Sequence, residues 1–221
     1  MAPLVTMATD ASGATRAARL GQVVVVVDVI DMSTTLEAMF DEGVLAVYGA
    51  APDAASVPVP VNPVQVGKQA GEFACSAGAG VVLVAEPRVG SAEERLSGIQ
   101  KVLKGIKDSG AAVELVLPNM GAETVKLADV KGRVVVAATG SGGVAFDAAM
   151  TAGAPAVLTG TVARTAKKKG SAPAMAAVER ALKTARQLKA DIAVIAASGN
   201  SVEDVLAAEY IFNLLLGVSR M

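Results

Sequence analysis

A three-layer α/β/α fold around a mostly parallel sheet, built from two related halves, is what this 221-residue chain predicts. Three observations carry that expectation. Val23-Val24-Val25-Val26-Val27 is an unbroken β-branched run, the mark of a strand buried on both faces. Short apolar runs of this kind alternate with longer amphipathic segments, as βα units do. Shifting the chain by 110 residues, half its length, aligns 24–47 with 134–157 without a gap. Val24, Val25 and Val26 then fall on Val134, Val135 and Val136, Ala38 on Ala148, Gly43 on Gly153 and Val47 on Val157. The shared order of strand, polar loop, helix, glycine stop and second strand argues for an internal duplication.

The elements follow in sequence. The first valine run ends at Asp28, and the hydroxyls Ser33, Thr34 and Thr35 open an amphipathic segment, Leu36-Glu37-Ala38-Met39-Phe40. Thr34 and Glu37 have capping-box spacing. Further strands are expected at 45–48, 81–85, 113–117, 133–138, 155–158 and 191–196. Pro52, Pro58, Pro60 and Pro63 forbid helix, so 52–63 reads as an extended crossover punctuated by Val57, Val59 and Val61. Ser91 and Glu94 form a second capping box, opening a helix over 92–107 that buries Leu96, Ile99, Leu103 and Ile106. Helices at 172–189 and 201–216 complete the set, and Lys167-Lys168-Lys169 reads as a solvated face. Residues 1–221 form one domain whose halves span about 22–110 and 132–217.

Composition removes whole classes of chemistry. Net charge is −1, from 20 basic and 21 acidic residues, so nothing draws the chain to nucleic acid or a membrane surface. No apolar run approaches the roughly 20 residues a bilayer span needs. No basic stretch precedes an apolar one near the N-terminus, so no secretory leader is read and a cytoplasmic location is expected. Histidine is absent, which excludes Ser-His-Asp triads and imidazole ligands. The single Cys75 excludes an intrachain disulfide or thiolate zinc site and reads as helix packing. Catalysis must use carboxylates, hydroxyls, amides, Lys or Arg, with a hard metal ion.

Six polar clusters stand where strands should end: Asp28, Asp31 and Ser33 to Thr35; Glu86-Pro87-Arg88; Asn119; Thr139-Gly140-Ser141-Gly142-Gly143; Thr161 with Arg164; and Ser198-Gly199-Asn200-Ser201-Val202-Glu203-Asp204. In a parallel sheet such loops share one edge, where ligands bind. Asp28, Asp31, Glu86, Glu203 and Asp204 are the candidate ligands of a Mg²⁺ ion, which takes oxygen donors. Gly140 to Gly143 could cradle phosphate with backbone amides, though no Walker lysine follows. Asp28 is the hardest to dismiss, because a carboxylate ending a buried valine run needs partners.

These clusters resemble the 2-phosphosulfolactate phosphatase family, the Mg²⁺-dependent phosphatases of coenzyme M biosynthesis. The family's Asp-Val-Leu-Arg-Ala-Thr-Thr-Thr is echoed by Asp28-Val29-Ile30-Asp31-Met32-Ser33-Thr34-Thr35. Its Gly-Glu-Arg-x-Gly is similar to Glu86-Pro87-Arg88-Val89-Gly90, and its Val-Leu-x-Gly-Ser to Val157-Leu158-Thr159-Gly160-Thr161. The closing Ser-x-Glu-Asp matches Ser201-Val202-Glu203-Asp204. Asn119 and Thr139 to Gly143 keep only part of their motifs. The order agrees from about residue 22 to 216, and the resemblance implies an α/β/α fold of two related halves. One departure matters: Asp31 stands where the family has a phosphate-binding Arg.

What this resemblance implies is a Mg²⁺-dependent phosphatase acting on a small phosphorylated hydroxy acid such as 2-phosphosulfolactate. Asp28, Glu86 and Asp204 would be catalytic. Ser33, Thr34, Thr35, Asn119, Thr139, Ser141 and Gly142 would bind the substrate, with Arg88 or Arg164 on its acidic end. The expected partner is a small anionic phosphorylated substrate, with assembly as a homodimer allowed. The alternative is a diverged, non-catalytic small-ligand-binding or regulatory protein on the same scaffold.

Overall fold

The computed structural model describes residues 3–219, and its strands divide between two parallel sheets. The first has the order β1-β8-β2-β7, from β1 (Val5–Thr9), β8 (Ile192–Ala196), β2 (Val23–Val27) and β7 (Val157–Gly160). The second has the order β3-β6-β4-β5, from β3 (Ala46–Ala50), β6 (Val134–Ala138), β4 (Val81–Ala85) and β5 (Val113–Pro118). Read backwards, the second order replaces each strand of the first by the one four places away in the chain. The single sheet expected from the sequence is thus two sheets of four strands.

Helices sit on both faces of each sheet, which makes each an α/β/α stack. Three of them, α1 (Asp10–Arg19), α2 (Met32–Asp41) and α6 (Gly142–Thr151), form a middle layer, in which α2 and α6 touch both sheets while α1 packs on the first sheet and against α6. There Met32, Leu36, Met39 and Phe146 join Val24, Val26 and Ile195 of one sheet to Val82, Val84 and Val135 of the other. α7 (Ala172–Leu188) and α8 (Val202–Ser219) cover the outer face of the first sheet, over Val23, Val25 and Val194. α3 (Pro63–Ala77) and α5 (Gln100–Asp108) cover the second, over Val81, Leu83 and Val136. All five residues of β2 are fully buried because both faces meet helices, which is why valine fills every position.

Local chemistry explains where elements differ from expectation. The expected helix over 92–107 is two, α4 (Ala92–Ser97) and α5, broken at Gly98-Ile99. Its predicted Ser91–Glu94 capping box is present. α3 and α5 cross so closely that a Cβ on Gly105 would lie 2.0 Å from the Val64 carbonyl oxygen. The extended crossover is a strap: Val57, Val59 and Val61 turn inward onto Ala11, Ala51 and Val144, and the intervening prolines face out. Asp147, fully buried on α6, fixes both strap ends by accepting from the amides of Ala51 (3.0 Å) and Asn62 (2.6 Å). No helix among the described residues is long and apolar enough to cross a membrane.

Candidate functional site

Asp28 leaves the end of β2 and meets the start of α6, which follows β6 of the other sheet. Its Oδ2 accepts from the Gly142 amide at 2.8 Å and from Ser141 Oγ at 3.0 Å. A helix N-terminus presents unpaired amides and positive dipole, so a carboxylate is stable there. The next free amide, Gly143, donates to Thr139 Oγ1 at 2.8 Å. The expected phosphate cradle is therefore closed by the protein's own groups. Glycine is required at 142, since a Cβ would fall 2.3 Å from Asp28 Oδ2.

The other oxygen of Asp28 has no partner. Asp28 is 1% exposed, and its Oδ1 is buried without a hydrogen bond. Burial pushes its pKa up, against the pull of Ser141 and Gly142 and a slight one from the Met32 amide. Asp204, in the first turn of α8, lies beside it and accepts from the Val29 amide at 2.8 Å. Its pKa is pushed up to about 6 by burial, with the Asp28 charge adding to the rise. Two carboxylates thus share a dry site, one with an oxygen lacking any donor, which is costly unless a proton or cation arrives.

The remaining acids lie elsewhere. Asp31 is ion-paired with Arg88, which also lies 3.9 Å from Glu86 Oε1. Asn119 donates to Glu86 Oε1 at 3.4 Å and accepts from Thr35 Oγ1 at 2.7 Å. Glu203 is exposed and takes a hydrogen bond from Ser201 Oγ at 3.1 Å. Among the described residues no three acids, cysteines or histidines form a group able to hold an ion. Asp28, Glu86 and Asp204 therefore do not make the expected three-carboxylate cage. Asp28 and Asp204 are the acids beside the orphaned Oδ1, and a hard cation bound by them would need water or phosphate for its other ligands.

The hydroxyls expected to receive phosphate are already committed. Ser33 Oγ accepts from the Asp28 amide and donates to the Val26 carbonyl, at 3.0 and 3.1 Å. Thr34 Oγ1 donates to the Val29 carbonyl at 2.7 Å and meets Thr161 Oγ1 at 2.9 Å. Thr35 is fully buried against Asn119 and Gly121. They lock the turn between β2 and α2. The expected Thr34–Glu37 capping box is absent for the same reason, with Asp31 at the N-cap position. Of the candidate cations, Arg88 is neutralised by Asp31. Arg164 is exposed and has no ion-pair partner among the described residues.

One cluster escaped the sequence reading. Glu37, fully buried, is ion-paired with Arg180 of α7 and with Lys168 at 2.7 Å, while Lys168 also meets Asp41. Lys168 is thus not part of a solvated face. The signal was the 110-residue shift, which sets Glu37 opposite Asp147, a second buried acid. Compared with known proteins, the chain matches no protein-family model and no curated protein. The functional reading rests on the motif resemblance and this geometry.

Proposed function

We propose that the chain is a phosphatase of small phosphorylated metabolites, with Asp28 and Asp204 carrying a divalent cation. The observation behind this is the unpartnered buried oxygen of Asp28 beside a second carboxylate, at the carboxyl edge where the two sheets meet. A cation held there would polarise the phosphoryl group and acidify a bound water. Ser141 and the Gly142 amide aim the Asp28 carboxylate, and the Val29 amide aims Asp204. Strand order places Arg164, after β7, on the other side of β2 from Asp204, after β8. Its guanidinium, exposed and without an ion-pair partner among the described residues, would hold phosphate oxygens bidentately. Arg88 is unsuited to an acidic substrate end because Asp31 already takes its charge.

The test is phosphate release from a panel of phosphate monoesters with Mg²⁺. Wild-type protein should turn over at least one ester. Asp28→Asn should lose about 100-fold or more while keeping its melting temperature, since it removes the charge but not the shape. No release from any ester by wild-type protein would end this reading. The Asp31–Arg88 pair favours a second reading, a non-catalytic binding protein. That reading predicts ligand-dependent stabilisation with no phosphate released.

A further inference from the structure

Beside the acid pair lies a chamber of about 480 Å³. Its walls are the turns after β1, β6 and β8, with Val57 and Pro58 of the strap on one side. Its polar lining is Asp10, Ser12, Ser141, Ser198 and Asn200. It touches the acid pair twice: Ser141 is bonded to Asp28, and the Ser198 backbone bears on the Asp204 carboxylate. The volume is that of a small-molecule site.

The charge of the lining decides what it can hold. Among the described residues no Lys or Arg lines the chamber. The one ionisable group that the described residues bring to it is Asp10, whose carboxylate accepts from the Gly199 amide at 2.9 Å and from Thr9 Oγ1 at 2.6 Å. The two candidate substrate-binding cations lie elsewhere: Arg88 is paired with Asp31, and Arg164 follows β7, at the opposite edge of the sheet from β1. A carboxylate or sulfonate lodged there would face Asp10 with no compensating charge. Hydroxyl groups would find acceptors in Asp10 and Asn200 and partners in the serines.

We propose that this chamber holds the body of the substrate, and that the body is an uncharged polyol or sugar rather than a hydroxy acid. The proposal rests on the phosphatase reading for its placement of the phosphate at the acid pair. It sets the order along the sheet edge: polyol over β1 and β8, reacting phosphate at Asp204 and Asp28, arginine beyond β2.

Sorbitol 6-phosphate and 6-phosphogluconate, which differ only in CH₂OH against carboxylate at C1, test it. Wild-type kcat/KM should favour the polyol ester by about tenfold or more, the scale on which one unpaired charge discriminates. Equal rates, or preference for 6-phosphogluconate, would overturn the polyol assignment and leave the phosphatase reading standing. If neither ester nor any other releases phosphate, the phosphatase reading fails. The chamber is then judged by calorimetric Kd for the same pair, where anything less than tighter sorbitol 6-phosphate binding overturns it. Ser12→Arg, on the exposed first turn of α1, places a cation at the chamber and should shift preference toward 6-phosphogluconate. An unaltered ratio in a folded Ser12→Arg protein would show that the substrate body sits elsewhere.

Discussion

Asp28 and Gly142 join the two sheets: a carboxylate from the end of β2 accepts, at 2.8 Å, from the first amide of the helix that follows β6. The contact leaves no room for a side chain at 142, because an added Cβ would lie 2.9 Å from Asp28 Cγ and closer still to Oδ2. Gly142→Ala should therefore cost about 1–3 kcal/mol, the range for overpacking a close contact. Urea denaturation checks it. A Gly142→Ala protein as stable as wild type would mean that the carboxylate is not seated against this helix.

Asp204 sets a pH dependence whose sign can be worked out. Its folded pKa is pushed up to about 6 from 3.8, by burial first. Between those values the folded protein holds a proton that the unfolded chain has released. Cation-free stability should thus be greatest below about pH 4, fall as pH rises toward 6, and level off above. Burial raises Asp28 in the same direction. A divalent cation competes with these protons, so Mg²⁺ should raise the melting temperature at about pH 8 and do nothing near pH 4. A Mg²⁺ effect independent of pH would place the ion away from this pair.

Arg180 neutralises Glu37 inside the protein and also stacks over the Phe40 ring, 4.8 Å from its centroid. Removing it strands a buried carboxylate with Lys168 alone. Arg180→Ala should cost about 3 kcal/mol, at the low end for buried pairs because the arginine keeps some solvent contact. Adding Glu37→Leu should recover part of that loss. If the two losses simply sum, the residues are not coupled.

The strap depends on Asp147, which holds the Ala51 and Asn62 amides. Asp147→Ala leaves those amides without acceptors and should cost about 2–4 kcal/mol, at one to two per amide. Limited proteolysis should then cut within 52–61, a segment that should resist cleavage in the wild type. Equal resistance in the variant would show that the inward valines suffice.

Much of this architecture was written in side-chain periodicity. Strands such as β2, β4 and β6 are covered on both faces, so every position is apolar and the run stands out. β1 was missed because it is an edge strand with four of its five residues only partly buried, which dilutes the pattern. The division into two sheets was also illegible, since an apolar run does not record which strand lies beside it. At the site, position was legible and commitment was not. Ser33 to Thr35 do stand at the sheet edge, but their bonds to Val26, Val29 and Asn119 depend on turns that local sequence leaves open. The pairing of Asp31 with Arg88 is of the same kind, joining loops that leave different sheets.

The strand orders carry a consequence for how the chain is made. Each hydrogen-bonded neighbour pair, β1 with β8, β8 with β2, β2 with β7, β3 with β6, β6 with β4 and β4 with β5, unites an early strand with a late one. None of the four strands before residue 86 bonds to another of that group. A nascent polypeptide leaving the ribosome can assemble no ladder until its second portion emerges, and apart from β4 with β5 the contacts that then close it are widely separated in the chain. The two portions are interleaved like the fingers of clasped hands, so either one synthesised alone has nothing to grip.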